Sequence, residues 1–129
     1  MKQNMVLVAE DDEDIREMLS ITLESAGFHA VAAKDGHTAA RILTVAKPVG
    51  LITDVRMPAM NGMELSRLAR CTPENRDIAI VMISANTHPY DVAAGLESGA
   101  DRYLAKPVSP RKLVAELREL ITSRTEVMP

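Results

Sequence analysis

The chain has 129 residues, and 18 acidic against 15 basic side chains give it a formal net charge of −3. Hydrophobic residues make up 47% of the chain, too many for a disordered protein, and the length suits one domain with a proper core. A single cysteine excludes an internal disulfide, and the mixed charge gives no footprint for nucleic acid. No apolar run approaches the roughly 20 residues of a membrane-spanning helix, and the first residues lack a signal-peptide layout. We therefore expect a cytoplasmic protein that contacts neither a membrane nor nucleic acid directly.

Five strand-like segments alternate with five helical patterns along the chain. The strands are predicted as short apolar runs, the form of strands that are buried on both faces. They are Met5 to Ala9, Phe28 to Ala33, Gly50 to Val55, Ile78 to Ser84 and Arg102 to Ala105. A helical spacing of apolar residues follows each strand, and Gly27, Pro48 and Gly99 end helices. Asp35-Gly36 is predicted as a turn and Met57 to Gly62 as a loop. This alternation predicts an α/β fold with a parallel sheet.

The last helix is predicted to open at Ser109-Pro110, with the serine as N-cap and the proline in the first helical position. Basic and acidic residues alternate along this helix as far as Arg124, the pattern of a solvated helix face rather than a nucleic-acid patch. Thr122 to Pro129 is predicted as a frayed tail. We therefore expect one domain over residues 1–123, a short tail over residues 124–129, and no output domain in this chain.

Polar side chains follow four of the five predicted strands, at the edge of a parallel sheet where ligands bind. Glu10 and Asp11 follow the first strand, Asp54 ends the third, Ser84 ends the fourth, and Lys106 follows the fifth. Clustered carboxylates repel one another unless a cation joins them, and Mg²⁺ takes oxygen ligands. A carboxylate can also act as a nucleophile and form an aspartyl phosphate. The spacing therefore predicts a magnesium-dependent phosphoryl acceptor.

On these residues the chain resembles the receiver domain of bacterial two-component response regulators. The resemblance spans residues 4–122 and is carried by Val6 to Asp12, Asp54 to Gly62, Ser84-Ala85 and Gly99 to Pro107, in this order and at these separations. It implies a chemotaxis-regulator-like, flavodoxin-like (βα)5 fold, a doubly wound five-stranded parallel sheet with strand order 2-1-3-4-5. It also implies a signalling switch that assists its own phosphorylation and dephosphorylation but is not a turnover enzyme.

The resemblance implies a role for each residue of the predicted site. Asp54 accepts a phosphoryl group from a sensor histidine kinase or a phosphotransfer protein. Glu10, Asp11, Asp54 and the backbone carbonyl of Arg56 hold Mg²⁺, or Mn²⁺ in its place. Lys106 binds phosphoryl oxygens, and the Lys106–Pro107 bond is expected to be cis.

Two further residues are implied to carry the switch. Ser84 matches the hydroxyl that moves to bond the phosphoryl group, and Tyr103 matches the aromatic residue that turns inward when it does. Arg56 and Asn86 stand two residues beyond the phosphoacceptor and the switch hydroxyl, where the family tunes the lifetime of the aspartyl phosphate. A downstream protein would dock on the face of the fourth helix, the fifth strand and the fifth helix.

The sequence leaves alternatives open for both the oligomeric state and the function. Asp101-Arg102 lacks the second acid that joins a dimer interface in many transcription-factor receivers, so a monomer and a phosphorylation-dependent dimer both stay open. An aspartate-nucleophile phosphatase usually has a second aspartate two residues after its nucleophile, where this chain has Arg56, which cannot act as an acid and base. A degenerate, non-phosphorylated binding module typically lacks the nucleophile, the acids or the lysine, and this chain keeps all of them.

Overall fold

The computed structural model describes residues 4–127, which form one five-stranded parallel sheet in the order β2-β1-β3-β4-β5. The strands are β1 (Met5–Ala9), β2 (His29–Ala33), β3 (Gly50–Asp54), β4 (Ala79–Ser84) and β5 (Arg102–Ala105). The helices are α1 (Glu13–Ser25), α2 (Gly36–Ala46), α3 (Gly62–Cys71), α4 (Pro89–Glu97) and α5 (Pro110–Val127), with a 3-10 turn at Pro73–Asn75. The predicted doubly wound α/β fold and its strand order are confirmed. Residues 1–3, on which part of the signal-peptide prediction rests, and residues 128 and 129 of the predicted tail lie outside the described residues.

Helices cover both faces of the sheet, because successive side chains of each strand point to opposite faces. One core packs α1 and α5 against the sheet and includes Val6, Ile52 and Leu117. The other packs α2 and α3 against the opposite face and includes Leu7 and Leu65. Strands β3 and β4 are buried along their whole length, which explains their continuous apolar runs. Within residues 4–127, no helix is both long enough and apolar enough to cross a membrane.

Asp35 and Gly36 begin a helix, so the turn predicted for them is wrong. The Asp35 side chain accepts a hydrogen bond from the Thr38 N–H at 2.7 Å, which makes it the N-cap of α2. Gly36 is the first helical residue, and a Cβ there would lie 1.9 Å from the carbonyl oxygen of Met60. The glycine therefore allows the loop that leads into α3 to pack closely against the start of α2.

Helix α5 continues to Val127, so the frayed tail predicted from Thr122 is wrong as far as residue 127. Arg124 accounts for part of this extra length. Its guanidinium donates to the Asp77 carbonyl at 2.9 Å and to Asp101 Oδ1 at 2.7 Å. Arg124 is therefore anchored to the domain instead of lying on a solvated face, and the predicted boundary between residues 123 and 124 falls inside a helix.

Candidate functional site

The carboxyl ends of β1, β3 and β5 bring three predicted site residues into contact. The register pairs Ala9 of β1 with Thr53 of β3, so the next residues, Glu10 and Asp54, emerge side by side. Lys106, directly after β5, donates from Nζ to Asp54 Oδ2 at 2.8 Å. The same Nζ lies 3.0 Å from Glu10 Oε1, a charge pair without the alignment of a hydrogen bond. One ammonium group thus bridges carboxylates that are 44 positions apart along the chain (54 − 10).

Three carboxylates form a cluster at this edge of the sheet. One oxygen from each of Glu10, Asp11 and Asp54 lies within 4.8 Å of the other two. Glu10 is fully buried and Asp54 is 7% exposed, whereas Asp11 is exposed. Buried charges are costly unless they are paired, and Lys106 pairs with two of the three acids, Glu10 and Asp54, while Arg16 donates to the backbone carbonyls of Glu10 and Asp11. This donor set of hard oxygens with excess negative charge fits Mg²⁺, which is held by one or two carboxylates and keeps waters for its remaining positions.

The electrostatics of the cluster favour an additional cation. Burial raises the pKa of Glu10 to about 7, and the charge of Asp54 adds to this effect, although the Asp12 N–H and Lys106 oppose it. Burial alone would lower the pKa of Lys106, but its contacts with Asp54 and Glu10 outweigh burial and raise that pKa. Lys106 is therefore charged at neutral pH, while Glu10 is held back from full ionisation. A divalent cation would favour the ionised form of Glu10.

Asn86 connects the two predicted switch residues. Ser84, at the end of β4, is 5% exposed, and its Oγ accepts a hydrogen bond from the Asn86 N–H at 3.0 Å. Tyr103 of β5 donates its hydroxyl hydrogen to the Asn86 carbonyl at 2.7 Å. The N–H and the carbonyl of one residue in the loop after β4 therefore bind the side chains of Ser84 and Tyr103.

A cleft of about 660 Å³ opens over these strand ends. Its lining is Asp54, Arg56, Ser84, Ala85, Asn86, Thr87, His88 and Lys106. Arg56, whose carbonyl is the fourth predicted metal ligand, is exposed in the loop after β3. The Lys106–Pro107 bond is cis, the isomer that the resemblance implies. Thr87 and His88 were not predicted, and their only signal in the sequence is their place three and four residues after Ser84.

The chain belongs to the response regulator receiver domain family, whose family model matches residues 6–118. Receiver domains of this family are phosphorylation-based signalling switches of two-component systems and interact with histidine kinases or phosphotransfer proteins. They are not turnover enzymes in the usual sense. The resemblance found in the sequence is confirmed.

Individual relatives agree with this assignment. The DNA-binding response regulator MtrA of Mycobacterium tuberculosis is 39% identical over 113 residues, which cover 88% of this chain and 48% of MtrA. The chain therefore spans about half the length of this curated relative. The chemotaxis response regulator CheY4 of Vibrio cholerae is 32% identical, with a TM-score of 0.85 over 92% of this chain and 98% of CheY4. The receiver domain of the Pseudomonas aeruginosa sensor histidine kinase PA1611 is 26% identical, with a TM-score of 0.86 over 93% of this chain and 98% of that chain, and its structure has a magnesium ion in the active-site cleft.

Proposed function

We propose that this chain is a phosphoacceptor switch in which Asp54 receives a phosphoryl group from a sensor histidine kinase or a phosphotransfer protein. The observation that carries the proposal is the position of Asp54, whose Oδ2 is 2.8 Å from Lys106 Nζ inside a cluster of three carboxylates. Glu10, Asp11, Asp54 and the Arg56 carbonyl would hold Mg²⁺ or Mn²⁺. The magnesium ion in the PA1611 receiver supports this choice of metal.

The reaction assigned to Asp54 is a displacement at phosphorus. A carboxylate oxygen forms a bond to phosphorus while the phosphorus–nitrogen bond of the donor phosphohistidine breaks, and the bonding electron pair leaves with the imidazole. Lys106 remains charged and lies close enough to compensate charge on the transferred group. Mg²⁺, when bound, supplies further charge compensation and orients the donor. Arg56 and Asn86 line the cleft and would set the lifetime of the aspartyl phosphate by limiting the approach of water.

The switch follows from the charge that the reaction adds. A phosphoryl group brings about −1.5 to −2 charges and three strong acceptors. If Ser84 turns its hydroxyl to one of those acceptors, Asn86 loses the bond that its N–H now donates to Ser84 Oγ. Tyr103 holds the carbonyl of the same residue, so the change reaches β5 and the face formed by α4, β5 and α5. A downstream protein would bind this face in the cytoplasm.

The oligomeric state remains part of this proposal. Arg102 of β5 donates to Glu116 at 2.7 Å and to Glu119 at 2.8 Å, both on α5 of the same chain. These two acids of the proposed docking face therefore already have a partner within the chain. Of the two alternatives, a monomer and a phosphorylation-dependent dimer, this pairing favours the monomer.

The intact mass of the protein tests the proposal. After incubation with phosphoramidate and Mg²⁺, the wild type should gain one phosphoryl group, and Asp54→Asn should gain none because it lacks the nucleophile. Asp14→Asn, a change at an exposed aspartate of α1, is the matched control and should behave as the wild type. Omission of Mg²⁺ should suppress the gain. Uptake by Asp54→Asn at the wild-type rate would overturn the assignment, and sustained turnover of a generic phosphomonoester would favour a phosphatase instead.

A further inference from the structure

Gly95 lies within α4 and is buried against the sheet. Its backbone is not in the left-handed region, unlike that of Gly27 and Gly99, so its conformation is open to any residue. Glycine inside a helix lowers stability relative to alanine, because it loses more backbone entropy on folding. The backbone conformation therefore does not require a glycine at position 95. The close packing around this position does require one.

A side chain at position 95 would collide with the ring of Tyr103. A Cβ built on Gly95 falls 2.8 Å from Tyr103 Cδ2, 2.9 Å from Tyr103 Cε2 and 2.8 Å from Met82 Sδ. A methionine side chain is flexible and can move aside. The phenol ring is rigid and can leave only by rotating as a whole. The Tyr103 ring thus occupies a notch in α4 that exists because Gly95 has no side chain.

The position of the ring matters because its hydroxyl fixes the loop after β4. Tyr103 donates to the Asn86 carbonyl at 2.7 Å, and the Asn86 N–H donates to Ser84 Oγ at 3.0 Å. A ring displaced from the notch could not keep the first of these bonds. Asn86 would then keep the bond from its N–H to Ser84 and the bond that its side chain accepts from the His88 N–H at 3.1 Å, but its carbonyl would lose Tyr103.

We propose that Gly95 is a positioning residue for the switch. Because it carries no side chain, the Tyr103 ring lies against α4 with its hydroxyl on the Asn86 carbonyl. Any side chain at this position drives the ring out toward solvent. The regulatory meaning of this inference rests on the proposed function, whereas the fit of the Tyr103 ring against Gly95 can be tested without phosphorylating the protein.

The tyrosine content of the chain makes the ring position directly measurable. The protein has two tyrosines and no tryptophan, and Tyr90 is 82% exposed. In protein labelled with 3-fluorotyrosine, fluorine NMR should give two resonances, which Tyr90→Phe assigns. We expect a soluble gadolinium chelate to broaden the Tyr103 resonance several-fold more in Gly95→Ala than in the wild type. Ala93→Ser, a change at an exposed position of α4, is the control and should leave that resonance unchanged. Equal broadening in Gly95→Ala and the wild type would overturn the proposal.

A thermal double-mutant cycle covers the case in which Gly95→Ala folds poorly. In a Tyr103→Ala background the notch is empty, so Gly95→Ala should raise the melting temperature through its better helix propensity. With Tyr103 present, the same substitution should lower the melting temperature. An equal shift of the melting temperature in both backgrounds would show that the position of the Tyr103 ring does not depend on Gly95.

Phosphoryl uptake separates this inference from the proposed function. Gly95→Ala should gain a phosphoryl mass at the wild-type rate, because the contacts of Asp54 with Lys106 are untouched. The change that phosphorylation causes in the Tyr103 resonance should be lost in this variant. The same change in Gly95→Ala and the wild type would overturn the regulatory part of the inference. If the wild type takes up no phosphoryl group, the proposed function fails, while the ring measurement still decides the role of Gly95.

Discussion

The two ends of the sheet hold charged clusters of opposite character. At the amino end, Asp101 accepts hydrogen bonds at Oδ2 from Arg70 at 3.0 Å and from the Ile80 N–H at 2.8 Å, and at Oδ1 from Arg124 at 2.7 Å. One acid there has two cations and a backbone donor. At the carboxyl end, Lys106 pairs with two of the three clustered acids, Glu10 and Asp54, and Arg16 donates only to the backbone carbonyls of Glu10 and Asp11.

The difference separates a cluster that stabilises the fold from one that is prepared for ligands. Both oxygens of Asp101 are bonded, and its partners join α3, α5 and the start of β4. At the other end, burial raises the pKa of Glu10, the charge of the neighbouring Asp54 adds to this effect, and Lys106 does not offset it fully. An incompletely paired buried charge costs stability. The proposed binding of a cation and a phosphoryl group would account for such an arrangement, whereas folding alone does not.

The largest effect should come from Asp101→Ala, which removes the centre of the stabilising cluster. Its side chain is 19% exposed, and the loss of a partly buried acid that pairs two arginines should lower the free energy of unfolding by about 3 kcal/mol. Urea denaturation measures this change. Asp77→Ala, at an exposed position near the same end of the sheet, is the control. Equal losses in the two variants would contradict the stabilising role, and phosphoryl uptake should survive in both.

Magnesium should act only on the cluster at the carboxyl end. A ligand that binds the folded state alone stabilises it by about 2.7 kcal/mol at 100 times its dissociation constant. We expect a gain of this size for the wild type in thermal unfolding with added Mg²⁺, and little or none for Asp54→Asn. Asp101→Ala should be stabilised by Mg²⁺ as much as the wild type, although it is less stable without the metal. Stabilisation of Asp54→Asn by Mg²⁺ to the wild-type extent would show that the metal binds at another site.

Glu10→Gln should make the metal-free protein more stable at alkaline pH. The pKa of Glu10 is raised from 4.5 to about 7, so between these values the folded state binds more protons than the unfolded state. The stability of the wild type therefore falls as pH rises through this window. The glutamine variant does not show this fall, because its side chain does not ionise. At pH 8, in the presence of a chelator, we expect a gain of roughly 1–2 kcal/mol over the wild type.

Denaturation curves from pH 4 to pH 8 provide the check for this variant. The difference between Glu10→Gln and the wild type should vanish near the lower end of the range, where both side chains are neutral. Glu13→Gln, at an exposed position of α1, is the matched control. A difference that does not change with pH would show that burial of Glu10 carries no electrostatic cost.

The smallest effect should come from Arg124→Ala. The Arg124 side chain is 32% exposed, so solvent screens its pair with Asp101, and we expect a loss of about 1 kcal/mol. Amide hydrogen exchange should accelerate in the last turns of α5 and stay unchanged in β1. Arg111→Ala, at the exposed start of the same helix, should have neither effect. Unchanged exchange at the end of α5 would contradict the anchoring role of Arg124.

Much of the fold could be predicted because local pattern and tertiary structure agree. Strands β1 and β5 have the predicted bounds, Met5–Ala9 and Arg102–Ala105, since each is a run that ends where charge or a turn residue begins. Asp35-Gly36 was misassigned because an aspartate before a glycine suits both a turn and a helix N-cap. The 2.7 Å bond from the Thr38 N–H to the Asp35 side chain and the 3.1 Å bond from the Ala39 N–H to the Asp35 carbonyl identify the N-cap.

Features that depend on distant contacts were beyond sequence reasoning. The length of α5 depends partly on the bonds of Arg124 to Asp77 and Asp101, neither of which is near it in sequence. The site is different, because the rule that parallel strands end at one edge predicts its assembly from residues far apart. The structure does bring the three carboxylates and Lys106 together, and the roles of these residues stay predictions. The fit of Tyr103 against Gly95 has no sequence pattern that would reveal it.

The strand order divides the site between the interior and the margin of the sheet. The carboxylates follow or end β1 and β3, each of which has a neighbouring strand on both sides. Tyr103 lies on β5 and Lys106 follows it, and within residues 4–127 β5 pairs only with β4. Local opening costs least where pairing is one-sided. We therefore expect the proposed metal ligands to lie on the part of the sheet that opens last, and the lysine and the tyrosine to lie on or beside a strand that opens more readily. If the proposed function holds, this division would let the carboxylates that receive the phosphoryl group stay rigid while the edge strand that carries Tyr103 moves.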